Sequence, residues 1–405
     1  MQTNLSESAK QLPRAQEAEA ILRSCVHCGF CNATCPTYQL LGDELDGPRG
    51  RIYLIKALLE GGEVTEKSQL HLDRCLSCRN CETTCPSGVR YHSLLDIGRA
   101  EMDKRVKRPM KQRLVRGGLR YLVPRKAVFG ALLGVGQAVR PLLPAALQEK
   151  IPARAPAAKP RPEARHARTV LMLEGCVLPS LSPNTNASAA RVLDRLGISV
   201  IAAPQAGCCG ATDYHLDDQE KGLERARRNI DAWWPAIEGG AQAIVQTASG
   251  CGAFVKEYGD LLRDDPVYAQ KARRVSELAK DLVQVVGDEP LHTLNVTPGS
   301  TVAFHCPCTL QHAQKLDGAV EGVLGKLGFQ LTAVPDSHLC CGSAGTYSIT
   351  QPALARQLRD NKLDALESGQ PTVIATANIG CQTHLNSAGR TPVKHWVELL
   401  EEALI

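Results

Sequence analysis

Eight cysteines near the start of the chain fall into two copies of one pattern. Cys25, Cys28, Cys31 and Cys35 stand as C-x2-C-x2-C-x3-C followed by Pro36, and Cys75, Cys78, Cys81 and Cys85 repeat it with Pro86, fifty residues on. Three thiols two residues apart can wrap one face of a cubane [4Fe–4S] cluster, and the fourth, followed by proline, reaches the other cluster in two-cluster proteins. The spacing therefore assigns one cluster to Cys25, Cys28, Cys31 and Cys85, and a second to Cys75, Cys78, Cys81 and Cys35. A pair of structural zinc sites would need only two C-x2-C pairs per ion, leaving the third cysteine and both prolines unexplained. Cluster potentials depend on exposure and nearby charge, for which Arg74, Arg79 and Arg90 are the sequence candidates. His27, inside the first loop, reads as an exposed loop histidine sooner than as a hydrogen-bond donor to sulfur.

The chain has 17 cysteines, and the remaining ones repeat on a longer period. Cys176, Cys208, Cys209 and Cys251 correspond to Cys306, Cys340, Cys341 and Cys381, and each vicinal pair is followed by glycine, Gly210 and Gly342. Buried-strand patterns cover Val170 to Leu173, Ile198 to Ala202 and Ala243 to Thr247, with counterparts at Thr301 to Phe304, Phe329 to Val334 and Val373 to Thr376. Leu223, Ala226, Ile230, Trp233 and Ile237 form one helical stripe between them, and Val320, Val323, Leu324 and Leu327 another. Ser182 and Pro183 read as the N-cap and first turn of a third helix. Strands alternating with helices imply parallel βαβ units, so each repeat is a small α/β lobe. Cys176, Cys251, Cys306 and Cys381 then fall just past strand ends, the edge where open α/β sheets bind ligands. A metal or further cluster could be held there, and the second lobe is the better candidate because it adds Cys308, His305, His338 and His384. Buried cysteines kept as small apolar residues are the alternative.

The fold class that follows is α+β: a mostly helical two-cluster module, then two repeated small α/β cysteine-rich lobes. In the first module, Ile52, Ile55, Leu58 and Leu59 make a helical stripe over Pro48 to Gly61. The domain limits are 14–103 for the two-cluster module, 104–168 for a basic connector, 169–290 for the first lobe and 300–405 for the second.

At 405 residues with 43% apolar and 22% charged, the chain is of ordinary globular composition, and an odd cysteine count in a chain this large does not suit a secreted disulfide scaffold. The first 24 residues carry no apolar signal-peptide core. Charge is uneven: residues 104–168 hold 17 Lys and Arg against Glu149 and Glu163, a local net of +15 against −10 for the remainder. The apolar run Ala127 to Val139 is too short to span a bilayer. This stretch reads either as a surface docking on anionic lipid or a partner subunit, or as a solvated connector whose last part, Ile151 to Arg168, is a linker. Nucleic acid is not expected, since no binding motif accompanies the charge. No P-loop, no G-x-S-x-G and no dinucleotide fingerprint occur, so the chain carries one-electron centres without an organic cofactor of its own.

The combination resembles the iron–sulfur subunits of bacterial glycolate oxidase (glycolate dehydrogenase), in which a two-cluster ferredoxin module precedes two Cys-Cys-Gly domains. The resemblance covers essentially the whole chain. It is carried by the runs from Cys25 to Lys56 and from Asp73 to Arg99, and by LEGCVLPSLSPNTN, NIDAWWPAIE, QTASGCGAFVKEYG, AFHCPCTLQHAQKL, SHLCCGSAGTY and TANIGCQTHL. It implies an oxidoreductase subunit, inactive alone, that takes electrons from flavin-bearing partners oxidising glycolate to glyoxylate and passes them to a quinone. It also implies peripheral attachment to the cytoplasmic face of the inner membrane. Iron–sulfur subunits of lactate or glycerol-3-phosphate dehydrogenases and of heterodisulfide reductases share the architecture and are the nearest alternative. Heterodisulfide reductases end such a domain with C-x2-C, whereas here Phe254 and His384 stand at the second cysteine position. A different class, a zinc-bound assembly protein, would hold partners together without redox chemistry.

Overall fold

Proline is favoured at the first helical position because its missing N–H needs no partner there. Pro36 and Pro48 both use it in the computed structural model, opening the helices Pro36–Leu41 and Pro48–Leu59. The structure describes residues 1–144, 148 and 151–405. These fall into two compact units: Met1–Gly117 with His338–Lys362, and Gly118–Ser337 with Leu363–Ile405.

The first unit is helical around one apolar core. Ile52, Ile55, Leu58 and Leu59 face inward from Pro48–Leu59, as the stripe predicts, and meet Ala18, Ile21 and Leu22 of Ala15–Ser24 and Leu94, Leu95 and Ile97 of Tyr91–Arg105. Each fully buried aliphatic side chain contributes about 1.5–3 kcal/mol, so this face supplies much of the unit's stability. Gly98 sets the helix crossing: a Cβ there would lie 2.6 Å from Ile55 Cγ1.

The second unit contains two four-stranded parallel sheets. The first comprises β1 (Arg168–Met172), β2 (Ile198–Ile201), β3 (Ile244–Gln246) and β4 (Ala279–Asp281), in the order β2-β1-β3-β4. The second comprises β5 (Thr301–His305), β6 (Gln330–Leu331), β7 (Val373–Thr376) and β8 (Val393–His395), in the order β6-β5-β7-β8. Register confirms the duplication, with Leu171 beside Ile244 in one sheet and Val302 beside Val373 in the other. The apolar residues of both sheets enter one continuous core: Val170, Leu193 and Val245 pack in the same cluster as Val302, Phe304, Leu324 and Trp396.

The helices joining the lobes pair twice in the same way. Pro183–Arg195, after the first strand of one lobe, packs on Trp396–Ala403, after the last strand of the other; Ala319–Lys326 packs likewise on Leu282–Gly287. Ser182 precedes its helix as expected, but it does not cap it. Its hydroxyl is engaged with Thr185 Oγ1 (2.8 Å) and Glu398 Oε1 (3.1 Å), because the buried Glu398 carboxyl needs donors there. The ends of β4 and β8 are also equivalent. Asp281 sits by register beside Gln246, and His395 beside Thr376. Burial pushes Asp281 up to about 6 and His395 down to about 4; His395 Nε2 donates to the Thr247 carbonyl at 2.8 Å.

Within the connector, Met110–Leu122 and Lys126–Val139 are helices in which no residue is buried. Residues 151–165 have no regular structure but are tied down by Lys159 to Glu401, Arg161 to Glu174 and Arg165 to Asp194. Positions 145–147 and 149–150 of the connector lie outside the described residues. Among the described residues no single helix is long and apolar enough to cross a membrane.

Candidate metal centres

The two N-terminal cysteine loops share a backbone that their sequences do not. His27 and Gly29 have φ of 57° and 83°; Ser77 and Arg79, fifty residues on, have 53° and 61°. Left-handed residues at alternate positions curl each loop so that its thiols turn toward a common centre. Three of the four are not glycine, a conformation costing about 1–3 kcal/mol each that persists where the surroundings enforce it, commonly at functional sites.

One cavity is lined by Cys25, Cys28 and Cys31 of the first run together with Cys81 and Cys85 of the second. Its other walls are largely apolar, including Val26, Pro48, Ile52 and Val89. Burial and the neighbouring Cys25, Cys85 and Cys28 push the Cys31 thiol up to about 11. The complementary set behaves alike: burial, Cys78 and Cys75 push Cys81 up, Cys35 adding to it, and Cys35 itself is raised by burial with Cys78 contributing. Thiols packed this closely resist ionisation, and an iron cluster reverses that by supplying positive charge to four thiolates. Tyr91 also lines this cavity, and its buried hydroxyl, within electrostatic reach of Cys75 and Cys81, has no hydrogen-bond partner, which is the disposition of a donor awaiting a thiolate. The residues therefore fit two four-thiolate clusters.

Polar groups gather around Cys35. Arg51, 1% exposed, places Nη1 4.0 Å from Cys35 Sγ, donates Nε–H to the His71 carbonyl (2.8 Å) and Nη2–H to Thr37 Oγ1 (3.1 Å). Asp46, also buried, lies 3.5 Å from Arg51, 2.8 Å from Arg74 Nη1 and 3.0 Å from His71 Nδ1. In the same unit Tyr347 is buried within electrostatic reach of Arg51, Cys75 and Cys340, and the His338 carbonyl accepts from Asn80 Nδ2 at 3.1 Å. Of the charges expected from sequence, Arg74 is bound to Asp46 and Arg90 to Glu17. Arg51 was not among them. Its signal was a cation at position 51 in register with Ile55 and Leu58 on the buried helix face. His27 is half-buried, not exposed: its ring stacks at 4.4 Å on Tyr53, an aromatic that the loop reading did not place there.

In the first lobe all four cysteines meet. Cys208 shares hydrogen bonds with Cys176 and Cys209, and Cys209 with Cys251. Hydrogen bonds from Cys176 and Cys209, with the Gly210 amide and the Arg225 charge, hold the Cys208 thiol below its usual range, while their bonds to Cys208 and burial push Cys176 and Cys209 up. Asn229 Nδ2 donates to the Cys208 carbonyl (3.0 Å) and Tyr258 Oη to that of Cys209 (2.5 Å), fixing the vicinal pair. Phe254, at the missing thiol position, is buried among the rings of Tyr214, His215 and Tyr258. A cleft lined by Leu173, Val177, Leu178, Gln246, Cys176 and Cys251 opens on this set.

The second set is divided: Cys306, Cys308 and Cys381, with His305 and His384, belong to one compact unit, and Cys340, Cys341 and His338 to the other. All five of those cysteines are buried. Asn378 Nδ2 donates to Cys381 Sγ (3.5 Å), and the Gly342 amide to Cys340 Sγ (3.4 Å). The glycine after each vicinal pair has one physical cause. Gly210 (φ +103°) and Gly342 (φ +87°) are left-handed, and a Cβ would meet the carbonyl oxygen of Gly222 at 2.4 Å or of Ala355 at 2.6 Å.

Comparison with known proteins finds one two-cluster family and a repeated cysteine-rich one. Residues 21–89 match the 4Fe-4S dicluster domain, and residues 170–256 and 302–386 each match the Cysteine-rich domain. Over 404 residues, covering 100% of this chain and 99% of the relative, the sequence is 70% identical to the glycolate oxidase iron-sulfur subunit of Escherichia coli (strain K12). The chain belongs to the glycolate oxidase iron–sulfur subunit family. A Bacillus subtilis (strain 168) protein named probable glycolate oxidase iron-sulfur subunit is 29% identical across 95% of this chain and 94% of its own length. Lactate utilization protein A of the same organism is 26% identical over only 53% of this chain, so the lactate alternative is not favoured. As a family member the chain is an iron–sulfur electron-transfer subunit of an oxidoreductase, of α+β fold.

Proposed function

We propose that this chain carries electrons away from flavin-bearing partner subunits that oxidise glycolate to glyoxylate, and delivers them to a quinone. Cys25, Cys28, Cys31 and Cys85 would hold one [4Fe–4S] cluster, and Cys75, Cys78, Cys81 and Cys35 the other. When bound, such clusters accept and release single electrons at little reorganisation cost. The chain's own residues do the rest. The two curled loops fix the sulfurs, the apolar walls formed by Ile52 and Val89 limit water, and crossed ligation keeps the two centres in one compact body. The observation that carries the ligand assignment is the cavity that brings Cys25, Cys28 and Cys31 to Cys81 and Cys85 of the second run, of which the proline-followed Cys85 is the one the spacing assigns to this cluster. Cys176, Cys208, Cys209 and Cys251 of the first lobe, and Cys306, Cys340, Cys341 and Cys381 of the second, are the two further candidate sites.

The proposed location is the cytoplasmic face of the inner membrane. Leu132, Val135 and Val139 share one face of the Lys126–Val139 helix, and Leu142 continues it; Val135 is 63% and Leu142 86% exposed. Arg125, Lys126 and Arg140 flank the stripe, and no acidic residue occurs anywhere in positions 104–148. An apolar stripe edged with cations matches an anionic lipid surface.

Oxygen-free purification with iron and sulfide analysis tests the central reading. About eight irons per chain are expected from two clusters, more if a lobe is loaded. Cys85→Ser should perturb the cluster served by Cys25, Cys28 and Cys31. Loss confined to the other cluster overturns the crossed assignment, and colourless protein silent in paramagnetic resonance after reduction overturns the whole.

A further inference from the structure

Arg51 is a fully buried cation whose guanidinium reaches a cysteine sulfur (Cys35) and is felt by a second (Cys75), and the electron-relay reading does not by itself require it. Burying an arginine is costly, and its donors are spent on only three partners besides sulfur: the His71 carbonyl, Thr37 Oγ1 and, more distantly, Asp46. Asp46 does not neutralise the neighbourhood alone, because it is shared with Arg74 at 2.8 Å. Two cations, Arg51 and Arg74, therefore share the buried Asp46 behind the Cys35 sulfur, and the exposed Asp43 carboxylate lies within 4.8 Å of Asp46. The corresponding cation at the other cavity is different: Arg49 is half-exposed and committed to Glu44 through Nε (2.6 Å) and Nη2 (3.2 Å).

Reduction adds one negative charge to a thiolate-ligated cluster, and a cation held nearby in a poorly screened interior stabilises that reduced form more than the oxidised one. Hydrogen-bond donors to the sulfurs act in the same direction. The buried Tyr91 hydroxyl has no hydrogen-bond partner and is free to act as such a donor; it lies within electrostatic reach of Cys75, Arg51 and Cys81, and the residue also lines the other cavity. We propose that Arg51 and Tyr91 are positioning residues that raise the reduction potential of the cluster held by Cys35, Cys75, Cys78 and Cys81, with Asp46 setting how much of the Arg51 charge that cluster feels. This rests on the ligand assignment above.

The test is a potentiometric titration of the anaerobic full-length protein, followed by paramagnetic resonance, with iron analysis of every sample. Cys78→Ser identifies which reduction step belongs to this cluster. Arg51→Met should shift that step's reduction equilibrium at least tenfold toward the oxidised form, about 59 mV for one electron, leaving the other step in place. Arg51→Lys should restore most of the shift. Tyr91→Phe should move the same step the same way by less. Asp46→Asn, of nearly equal size, should move it in the opposite direction. If Arg51→Met sheds iron, the other three variants still decide. Shifts of equal size in both steps, the same sign for Asp46→Asn and Arg51→Met, or no shift at all overturns the proposal. Wild-type protein lacking two titrating clusters would instead overturn the reading beneath it.

Discussion

Replacing Gly210 by alanine separates two costs that the structure predicts at one atom. The residue has φ +103°, where an L side chain pays about 1–2 kcal/mol for the left-handed backbone. The new Cβ would also lie 2.4 Å from the Gly222 carbonyl oxygen and 3.2 Å from Phe254 Cε1. The first is backbone of the buried Gly222 in the Gln219–Glu238 helix and cannot rotate aside, so overpacking adds about 1–3 kcal/mol. Together these give a destabilisation of about 2–5 kcal/mol. Gly240 is the control: its φ is +93°, but nothing lies within 4 Å of the added Cβ, so Gly240→Ala should cost only the backbone part, about 1–2 kcal/mol. Urea unfolding of anaerobic protein, followed by tryptophan fluorescence, reads both. Trp233 is fully buried in the same core cluster as Cys209 and reports on this lobe. Equal midpoints for the two variants would refute the close-approach argument and leave backbone conformation as the sole reason for glycine after the vicinal cysteines.

Asp281→Asn should stabilise the protein at pH 7.5 relative to wild type. The buried carboxyl is raised from 3.8 to about 6, so its favourable neutral form is lost as pH rises through 6. The advantage, at most about 3 kcal/mol, should shrink on moving to pH 5.5, and a gain that grows on acidification would contradict the assignment. Leu132→Asp with Val135→Asp should abolish sedimentation of the full chain with vesicles containing phosphatidylglycerol. Binding that survives both substitutions, or is equal on neutral phosphatidylcholine vesicles, rules out the Lys126–Val139 stripe as a lipid contact.

Long periodic segments and repeated cysteine spacings were legible in the sequence. The strand at Val373–Thr376, the stripe of Pro48–Leu59 and the helix carrying Ala226, Ile230 and Trp233 sit where hydrophobic period places them. The strands Ala279–Asp281 and Val393–His395 were not legible, because three residues holding a central lysine give no apolar run and are recruited only by their neighbours in the sheet. The loop geometry around the first eight cysteines could not be read either. His27, Ser77 and Arg79 have no intrinsic preference for positive φ, and only tertiary constraint imposes it. Arg51 was hidden for the opposite reason: patterning treats a cation on a helix as solvent-facing, whereas here it turns inward to meet sulfur.

The paired helices of the second unit make its two halves an intramolecular dimer. Glu398 of one half accepts from Ser182 and Thr185 of the other, and His395 Nε2 donates across to the Thr247 carbonyl. Neither half can be cut free without stranding a carboxyl, an imidazole and the wall of apolar residues around Trp396. Such mutual dependence ties the ancestral copies together as a structure while freeing their equivalent positions to diverge. Asp281 against His395, and Phe254 against His384, mark where that licence has already been used.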